Sequence, residues 1–210
     1  MVNKHKFLFE DDKISQDQEI ILRSFFPDGK KKMISEIVKR SDYSYERVNS
    51  ALKELEKKKI VKSEMAGKTL IYTLDFRNLY SRFAFSHYML EEIIDFANKH
   101  FAIYKAVEEI KEKAFANIIL IFGSYSKGLE RKDSDIDIMV VSDNKKKTEE
   151  IVLQIKRKYG LNLQLVFVEK WDFKNIKKEN RVLWEDLKIN AKVFEGRDTF
   201  YYWMYQNEEN

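Results

Sequence analysis

The N-terminal part of the chain carries apolar residues at helical spacing in three consecutive segments. The turn signal Pro27-Asp28-Gly29 separates the first two segments, and Ser44 is placed to cap the third. The predicted helices cover residues 16–26, 33–39 and 45–58. Two β-prone segments follow, 60–64 and 69–74, with Ala66-Gly67-Lys68 as a hairpin tip. Residues 1–75 are therefore predicted to form one module of three helices and a β-hairpin.

Residues 76–100 are predicted to be a long connecting helix. Residues 76–99 contain neither Gly nor Pro, and apolar side chains occur nearly all round the middle of the segment. A helix of this kind must be covered on more than one side, by both domains or by a partner subunit. We favour a partner subunit, which makes a homodimer the expected assembly.

Residues 101–210 alternate short apolar runs with helical segments, which predicts a mixed sheet with helices. Strands are expected near residues 118, 135 and 163, with an edge strand at 191–194 that is stopped by Glu195-Gly196. Helices are expected at 102–114, 145–159 and 175–187. The aromatic cluster at 200–205 is predicted to dock into a core or a dimer contact. The predicted fold class of the whole chain is α+β.

The candidate chemistry lies between the first two of these strands. Gly123-Ser124 ends an apolar run, where a strand that turns into a helix leaves backbone N-H groups unpaired for phosphate. Asp135 and Asp137 stand two apart on a predicted strand, so their carboxylates share one face and can hold a divalent cation. Further predicted nucleotide ligands lie between or beside these elements. They are Lys127, Arg131, Lys132 and Ser134.

Each piece also has an ordinary structural explanation. Gly-Ser after a strand is a common turn, and alternating Asp and Ile is typical of a strand with one wet face. The two pieces occur together in the order strand, Gly-Ser, spacer and Asp-Ile-Asp. Their combination favours a nucleotide-transferring site over either explanation alone.

From these residues the sequence resembles the nucleotidyltransferases of the DNA polymerase beta superfamily, and most closely the minimal nucleotidyltransferases. The resemblance covers about residues 102–194. It implies a small mixed sheet with helices on one side, a nucleoside triphosphate on Ser124, and Mg²⁺ or Mn²⁺ on Asp135 and Asp137 as catalytic carboxylates. In that family a hydroxyl attacks the alpha phosphorus and pyrophosphate leaves. Members of the minimal family often resemble one half of a toxin-antitoxin pair, so a partner protein is an implied acceptor.

One position departs from the family pattern. The family usually supplies a third carboxylate from a later strand, and Gln164 stands there in this chain. An amide oxygen can touch a metal ion but cannot accept the proton of an attacking hydroxyl. Glu169 and Asp172 lie at or beyond the end of that strand and are weak substitutes. Transfer activity is therefore left open by the sequence.

The N-terminal module resembles a winged helix-turn-helix, which implies DNA as a partner. In that family the third helix enters the major groove and the hairpin lies on the backbone. Residues 1–75 contain 16 Lys and Arg against 13 Asp and Glu, so a protein-binding role is the alternative. The residues predicted to contact DNA are Tyr45, Arg47, Asn49, Ser50, Lys53 and Lys68.

The composition agrees with a cytoplasmic protein that has no membrane segment. The chain has no cysteine, which excludes disulfides and thiolate metal sites, and its three histidines lack ligand spacing. Two functions remain open. The first is a magnesium-dependent, ATP-binding nucleotidyltransferase with a DNA-binding module. The second is a silent transcription regulator whose nucleotidyltransferase-like domain senses a nucleotide or binds a partner protein.

Overall fold

The structure, a computed structural model, describes residues 14–205, which divide into two compact units with the boundary after Ala84. Residues 1–13 and 206–210, which belong to the predicted first and last domains, lie outside this range.

Over residues 14–78 the N-terminal unit contains three helices and a three-stranded antiparallel sheet. The sheet has the order β1-β3-β2, and Gly67-Lys68 joins β2 to β3. The three helices and the hairpin agree with the spacing of apolar residues, whereas the very short strand β1 was not predicted. The elements are α1 (Gln16–Arg23), β1 (Lys32–Met33), α2 (Ile34–Ser41), α3 (Tyr45–Lys57), β2 (Val61–Ala66) and β3 (Thr69–Leu74).

Local side-chain hydrogen bonds fix where two of these helices begin. The Ser15 hydroxyl accepts a hydrogen bond from the Gln18 backbone N-H, and the Gln18 side chain accepts one from the Ser15 backbone N-H, which makes a capping box. The Ser44 hydroxyl accepts from the Arg47 backbone N-H at the start of α3, as the sequence predicts. The apolar stripes of the helices are buried together, which gives this unit its own core.

The connecting segment is helical over α4 (Leu79–Lys99) and, after a break at His100, over α5 (Phe101–Ala114). Helix α4 contains the boundary between the two units. In the C-terminal unit its Tyr88 and Ile93 are buried, while Leu90 and Ile94 are exposed. None of the helices in residues 14–205 is long and apolar enough to cross a membrane.

The C-terminal unit is built around a four-stranded mixed sheet with the order β6-β5-β4-β7. Strands β5 and β6 are parallel, and β4 is antiparallel to both of its neighbours, β5 and β7. The remaining elements are β4 (Ile118–Phe122), α6 (Gly123–Lys127), β5 (Ile136–Val141), α7 (Lys145–Tyr159), β6 (Leu163–Val168), α8 (Lys170–Glu179), α9 (Arg181–Asn190), β7 (Lys192–Glu195) and α10 (Arg197–Tyr205).

The central strand β4 is covered on both faces, whereas Gln164 and Val166 on one face of β6 are exposed. Successive residues of a strand point to opposite faces. Ile118, Ile119, Leu120 and Ile121 are all fully buried, so both faces of β4 are shielded from water. Helix α10 contacts β4 and β7, and its Phe200 is completely buried, as predicted for a docking segment.

The single helix predicted at 175–187 is two helices. Helix α8 begins earlier, at Lys170, and the chain breaks at Asn180 before α9 begins. The Asn180 side chain accepts a hydrogen bond from the Leu183 backbone N-H and caps α9. The apolar spacing continues across the break, which is why helical periodicity alone did not reveal it.

Candidate functional site

The candidate site lies where β4 ends and β5 begins. Phe122, the last residue of β4, pairs with Asp137 in the antiparallel ladder. Asp137 in turn pairs with Gln164 in the parallel ladder. Residues that pair across a ladder point to the same face of the sheet, so these three side chains form one row. The chain turns directly from Phe122 into α6 at Gly123.

Gly123 is required at this turn for two reasons. Its φ angle is +72°, in the left-handed region that side-chain-bearing residues avoid. A Cβ atom built on Gly123 would also overlap the Asp137 carboxylate, because Oδ2 of Asp137 lies directly against the glycine. The phosphate turn and the metal-binding carboxylate predicted from the sequence are therefore in contact.

Ser124 presents a hydroxyl that has no hydrogen-bond partner within residues 14–205. Ser126, two residues later, is instead buried. Its hydroxyl donates a hydrogen bond to the Gly123 carbonyl oxygen at 3.0 Å, which stabilises the short helix α6. The Ser124 carbonyl oxygen accepts the Leu129 backbone N-H at 3.0 Å. The turn is thus fixed through other groups, and the Ser124 side chain is left available to a ligand.

Asp135 and Asp137 act on each other electrostatically. Asp137 is half-buried, and this burial, together with the negative charge of Asp135, raises the pKa of the Asp137 carboxyl above its usual value. Asp135 is exposed and accepts a hydrogen bond from the side-chain amide of Asn162. Two carboxylates that repel each other in this way are favourable ligands for a cation, because a positive charge between them relieves the repulsion.

The donor set fits one class of metal site. Within the described residues no group of three or more His, Cys, Asp or Glu side chains converges on a point. This excludes a closed zinc-type cage among those residues. It suits Mg²⁺, which proteins usually bind through one or two carboxylates with substrate phosphates completing the shell. Asp135 and Asp137 would hold the ion, and the Gln164 amide oxygen lies on the next strand.

Three of the other predicted nucleotide ligands, Lys127, Lys132 and Ser134, have different surroundings. The Nζ of Lys127 forms an ion pair with Asp186 of α9 at 2.7 Å. Lys132 is exposed and makes no ion pair with any described residue. The Ser134 hydroxyl accepts the Arg131 backbone N-H at 2.8 Å, so it shapes the loop that leads to Asp135. The structure thus places Lys127 against α9 and leaves Lys132 at the surface.

Gln164 occupies the third position of the site, beside Asp137, and its side chain is exposed. Glu169 and Asp172 cannot replace it. Strand β6 runs parallel to β5, so Glu169 follows the far end of β6, about 16 Å from Gln164 at the usual rise per residue. Within the described residues this row therefore contains one carboxylate and one amide.

Two residues at the site were missed by the sequence analysis. Asn162 donates to Asp135, and its position two residues before Gln164 was a signal that the two amides share a face. Asp186 holds Lys127 and also accepts from the Asn190 amide at 2.8 Å. No local pattern connects Asp186, on α9, to a turn that lies several elements earlier in the chain.

The residues predicted to bind DNA lie on α3 and on the hairpin of the N-terminal unit. Asn49 is half-buried, whereas the others are exposed. Arg47 is held by Asp17, with hydrogen bonds of 2.8 and 2.6 Å, and lies over the Tyr43 ring at 3.8 Å. This ion pair raises the pKa of Arg47 and lowers the pKa of Asp17. The exposed members of the set are Tyr45, Arg47, Ser50, Lys53 and Lys68.

Comparison with known proteins supports the C-terminal part of this picture. A relative described as a putative protein adenylyltransferase, from Methanocaldococcus jannaschii, is 31% identical over 91 residues. The match covers 40% of this chain, and the chain spans 60% of the length of that relative. No solved structure gives a significant match.

A family model agrees on the location of the domain. Residues 103–198 match the sequence model described as a nucleotidyltransferase domain. These residues include the Gly123 turn, the carboxylate pair and Gln164. The match confirms the nucleotidyltransferase part of the sequence prediction, and nucleotide transfer is the general chemistry that these comparisons support.

Proposed function

We propose that the C-terminal unit binds a metal–nucleoside triphosphate at the Gly123 turn and transfers its nucleotide to a hydroxyl group of a protein. The single observation that carries this proposal is the contact between Gly123 and the Asp137 carboxylate, which joins a phosphate turn to a cation ligand. The description of the Methanocaldococcus relative as a putative protein adenylyltransferase supports ATP as the nucleotide and a protein as the acceptor.

Each residue of the site has a distinct role in this proposal. The free hydroxyl of Ser124 and the backbone N-H groups of the turn bind the phosphates. Asp135 and Asp137 hold Mg²⁺ or Mn²⁺, and the Asn162 amide fixes the orientation of the Asp135 carboxylate. The bound ion supplies positive charge to the phosphate oxygens. Lys127 reaches a phosphate once it leaves Asp186.

The transfer step balances without a further reactant. The acceptor oxygen forms a bond to the alpha phosphorus, and the bond from that phosphorus to the bridging oxygen of pyrophosphate breaks. Pyrophosphate leaves with the electron pair, and the acceptor proton passes to solvent. Gln164 cannot take this proton, because an amide oxygen is not a base at neutral pH. We therefore expect slow transfer, since losing a general base costs on the order of a hundredfold to ten-thousandfold in rate.

Two measurements test the proposal in sequence. Titration calorimetry with Mn²⁺ and a non-hydrolysable ATP analogue is expected to show metal-dependent binding that Asp135→Asn with Asp137→Asn abolishes. Glu169→Gln, a carboxylate change at the far end of β6, is the matched control and should bind normally. Incubation with nucleoside triphosphates labelled at the alpha phosphate and a lysate should then label a protein. Unchanged binding by the double variant would refute the site.

A second function is favoured by one observation, the amide at position 164. In that case the domain binds a metal–nucleotide complex without transferring it, and the chain acts as a transcription regulator that senses the nucleotide. Metal-dependent binding with no labelled product under any divalent metal would select this function. The two candidates share the binding site and differ only in the transfer step.

We also propose that the N-terminal unit is a winged helix-turn-helix that binds DNA. The order of three helices with a β2–β3 hairpin, and the exposure of Lys53 and Lys68 on α3 and the hairpin, support this. Lys53→Ala is expected to weaken a promoter-fragment shift, whereas Lys39→Ala, at an exposed position on α2, should not. Equal retention by both variants would indicate a protein-binding module. Arg47→Ala is less specific, because it also releases Asp17.

A further inference from the structure

Helix α8 carries three lysines that no described carboxylate neutralises. Lys170, Lys174 and Lys178 are spaced four residues apart, so they lie along one stripe of the helix. None of the three makes an ion pair with any residue in 14–205. By contrast, Lys111, Lys113 and Lys158 elsewhere in this unit are each paired with a glutamate. The stripe is therefore a concentration of unbalanced positive charge.

Helix α8, with the two residues that follow it, carries a surplus of positive charge. Residues 170–181 contain five Lys and Arg against two Asp and Glu, a surplus of three. The formal net charge of the whole chain is only +4. A surplus of this size within one short segment attracts a polyanion.

Two lysines of the stripe, Lys170 and Lys174, lie over an aromatic ring. Lys170 Nζ lies 5.6 Å and Lys174 Nζ 5.0 Å from the centre of the buried Trp203 ring. A cation over an indole face is stabilised without being neutralised, so its N-H donors stay available for phosphate oxygens. Four residues of helix correspond to about 6 Å, which sets the distance between successive cations.

An exposed tryptophan completes the surface. Trp171 is 70% exposed, which is unusual for so large an apolar side chain. It lies three residues before Lys174 and seven before Lys178, so all three share one face of α8. An aromatic ring beside a line of cations is the arrangement on which single-stranded nucleic acids stack their bases.

We propose that this face of α8, formed by Lys170, Trp171, Lys174 and Lys178, binds a single-stranded nucleic acid. The lysines bind consecutive phosphates, and Trp171 stacks on a base. A duplex fits less well, because its base faces are already stacked on one another. This site goes beyond nucleotide transfer and does not depend on it. It is also separate from the DNA-binding surface proposed for the N-terminal unit.

The test measures binding of a labelled single-stranded oligonucleotide to the full-length chain by fluorescence anisotropy over a series of salt concentrations. Each phosphate contact on a single strand contributes about 0.7 to the slope of log K against log salt. Changing Lys170, Lys174 and Lys178 together to Gln is expected to reduce the slope by about 2. Trp171→Ala is expected to weaken binding about fivefold to a hundredfold.

The matched control changes three other lysines, Lys145, Lys146 and Lys147, to Gln at the start of α7. This control should leave the slope near that of the unmodified chain. An unchanged slope in the α8 variant, or an equal loss in the α7 control, would overturn the proposal. So would full binding by Trp171→Ala, or a larger loss of duplex or acidic-polypeptide binding than of single-strand binding in the α8 variant. Normal metal–nucleotide binding by the α8 variant would show that the two sites fail independently.

Discussion

The substitution Gly123→Ala tests the contact on which the proposed site depends. At φ +72° the left-handed conformation of an alanine destabilises the folded state by about 1–2 kcal/mol. The added Cβ also overlaps the Asp137 carboxylate, and relieving that overlap costs about 1–3 kcal/mol more. Alanine also lowers the conformational entropy of the unfolded chain, which stabilises the folded state by about 0.4–1 kcal/mol. We therefore expect a loss of roughly 2–4 kcal/mol in the free energy of unfolding.

Gly160→Ala is the matched control for this change. Gly160 has φ +62°, and a Cβ built there meets nothing within 4 Å, so its alanine variant is destabilised by the backbone conformation alone. Thermal unfolding should show a loss of about 1 kcal/mol for Gly160→Ala, roughly a third of the loss for Gly123→Ala. The difference between the two variants measures the contact with Asp137.

The binding assay separates stability from function. Displacing a metal-binding carboxylate through a neighbouring group typically costs about tenfold to a hundredfold in metal affinity. We expect this loss for Gly123→Ala, and none for Gly160→Ala, in calorimetric titration with Mn²⁺ and a non-hydrolysable triphosphate. If Gly123→Ala binds as tightly as the unmodified chain, the glycine does not govern the carboxylate and the proposed site is wrong.

Other predictions follow from individual side chains. Gln164→Glu should raise the rate of transfer about a hundredfold or more and tighten Mn²⁺ binding, because it supplies both a base and a charge; an unchanged rate would mean that position 164 takes no part. Asp137→Asn should raise Tm at pH 7 in chelator-treated buffer, because the raised pKa of Asp137 means that its ionised form destabilises the folded state. This gain in Tm should vanish below about pH 4, where the carboxyl is protonated in both states. Hydrogen bonds, chiefly from lysines, lower the pKa of Glu109 to about 2. The ionised Glu109 should therefore stabilise the fold above about pH 4, and this contribution should be lost as the pH falls towards 2. Glu109→Gln should lower Tm at pH 7 but not at pH 2. Changing the exposed Leu90 and Ile94 of α4 to Glu should convert the expected dimer to a monomer in light scattering, and a dimer that survives would place its interface elsewhere.

Local patterns predicted much of the fold because short-range physics determines it. Apolar spacing located the helices, and Ser44 marked the start of α3 through a hydrogen bond to a backbone group of the first helical turn. The Asp135–Asp137 alternation predicted two neighbouring carboxylates, and in the structure the charge of Asp135 acts on Asp137. The break at Asn180 and the short strand β1 were not predicted, because neither interrupts the periodic spacing of apolar residues.

Contacts between distant parts of the chain could not be predicted in this way. Lys127 of α6 pairs with Asp186 of α9, and Arg47 of α3 pairs with Asp17 of α1. Lys127 was predicted to bind a nucleotide and Arg47 to contact DNA, whereas in the structure each is held by a carboxylate. The charge of a side chain can be read from the sequence, but its partner depends on how the elements pack.

The pairing of Phe122 with Asp137 has a consequence for how the site forms during folding. The two partners belong to consecutive strands joined by a short connection, so closing that loop is a fast, local event. The turn and the carboxylate pair can therefore assemble on the β4–β5 unit before β6 joins the sheet. Residue 164 joins this nucleus later, and its identity is not needed to build it. Binding of a triphosphate and its turnover thus depend on different segments of the polypeptide.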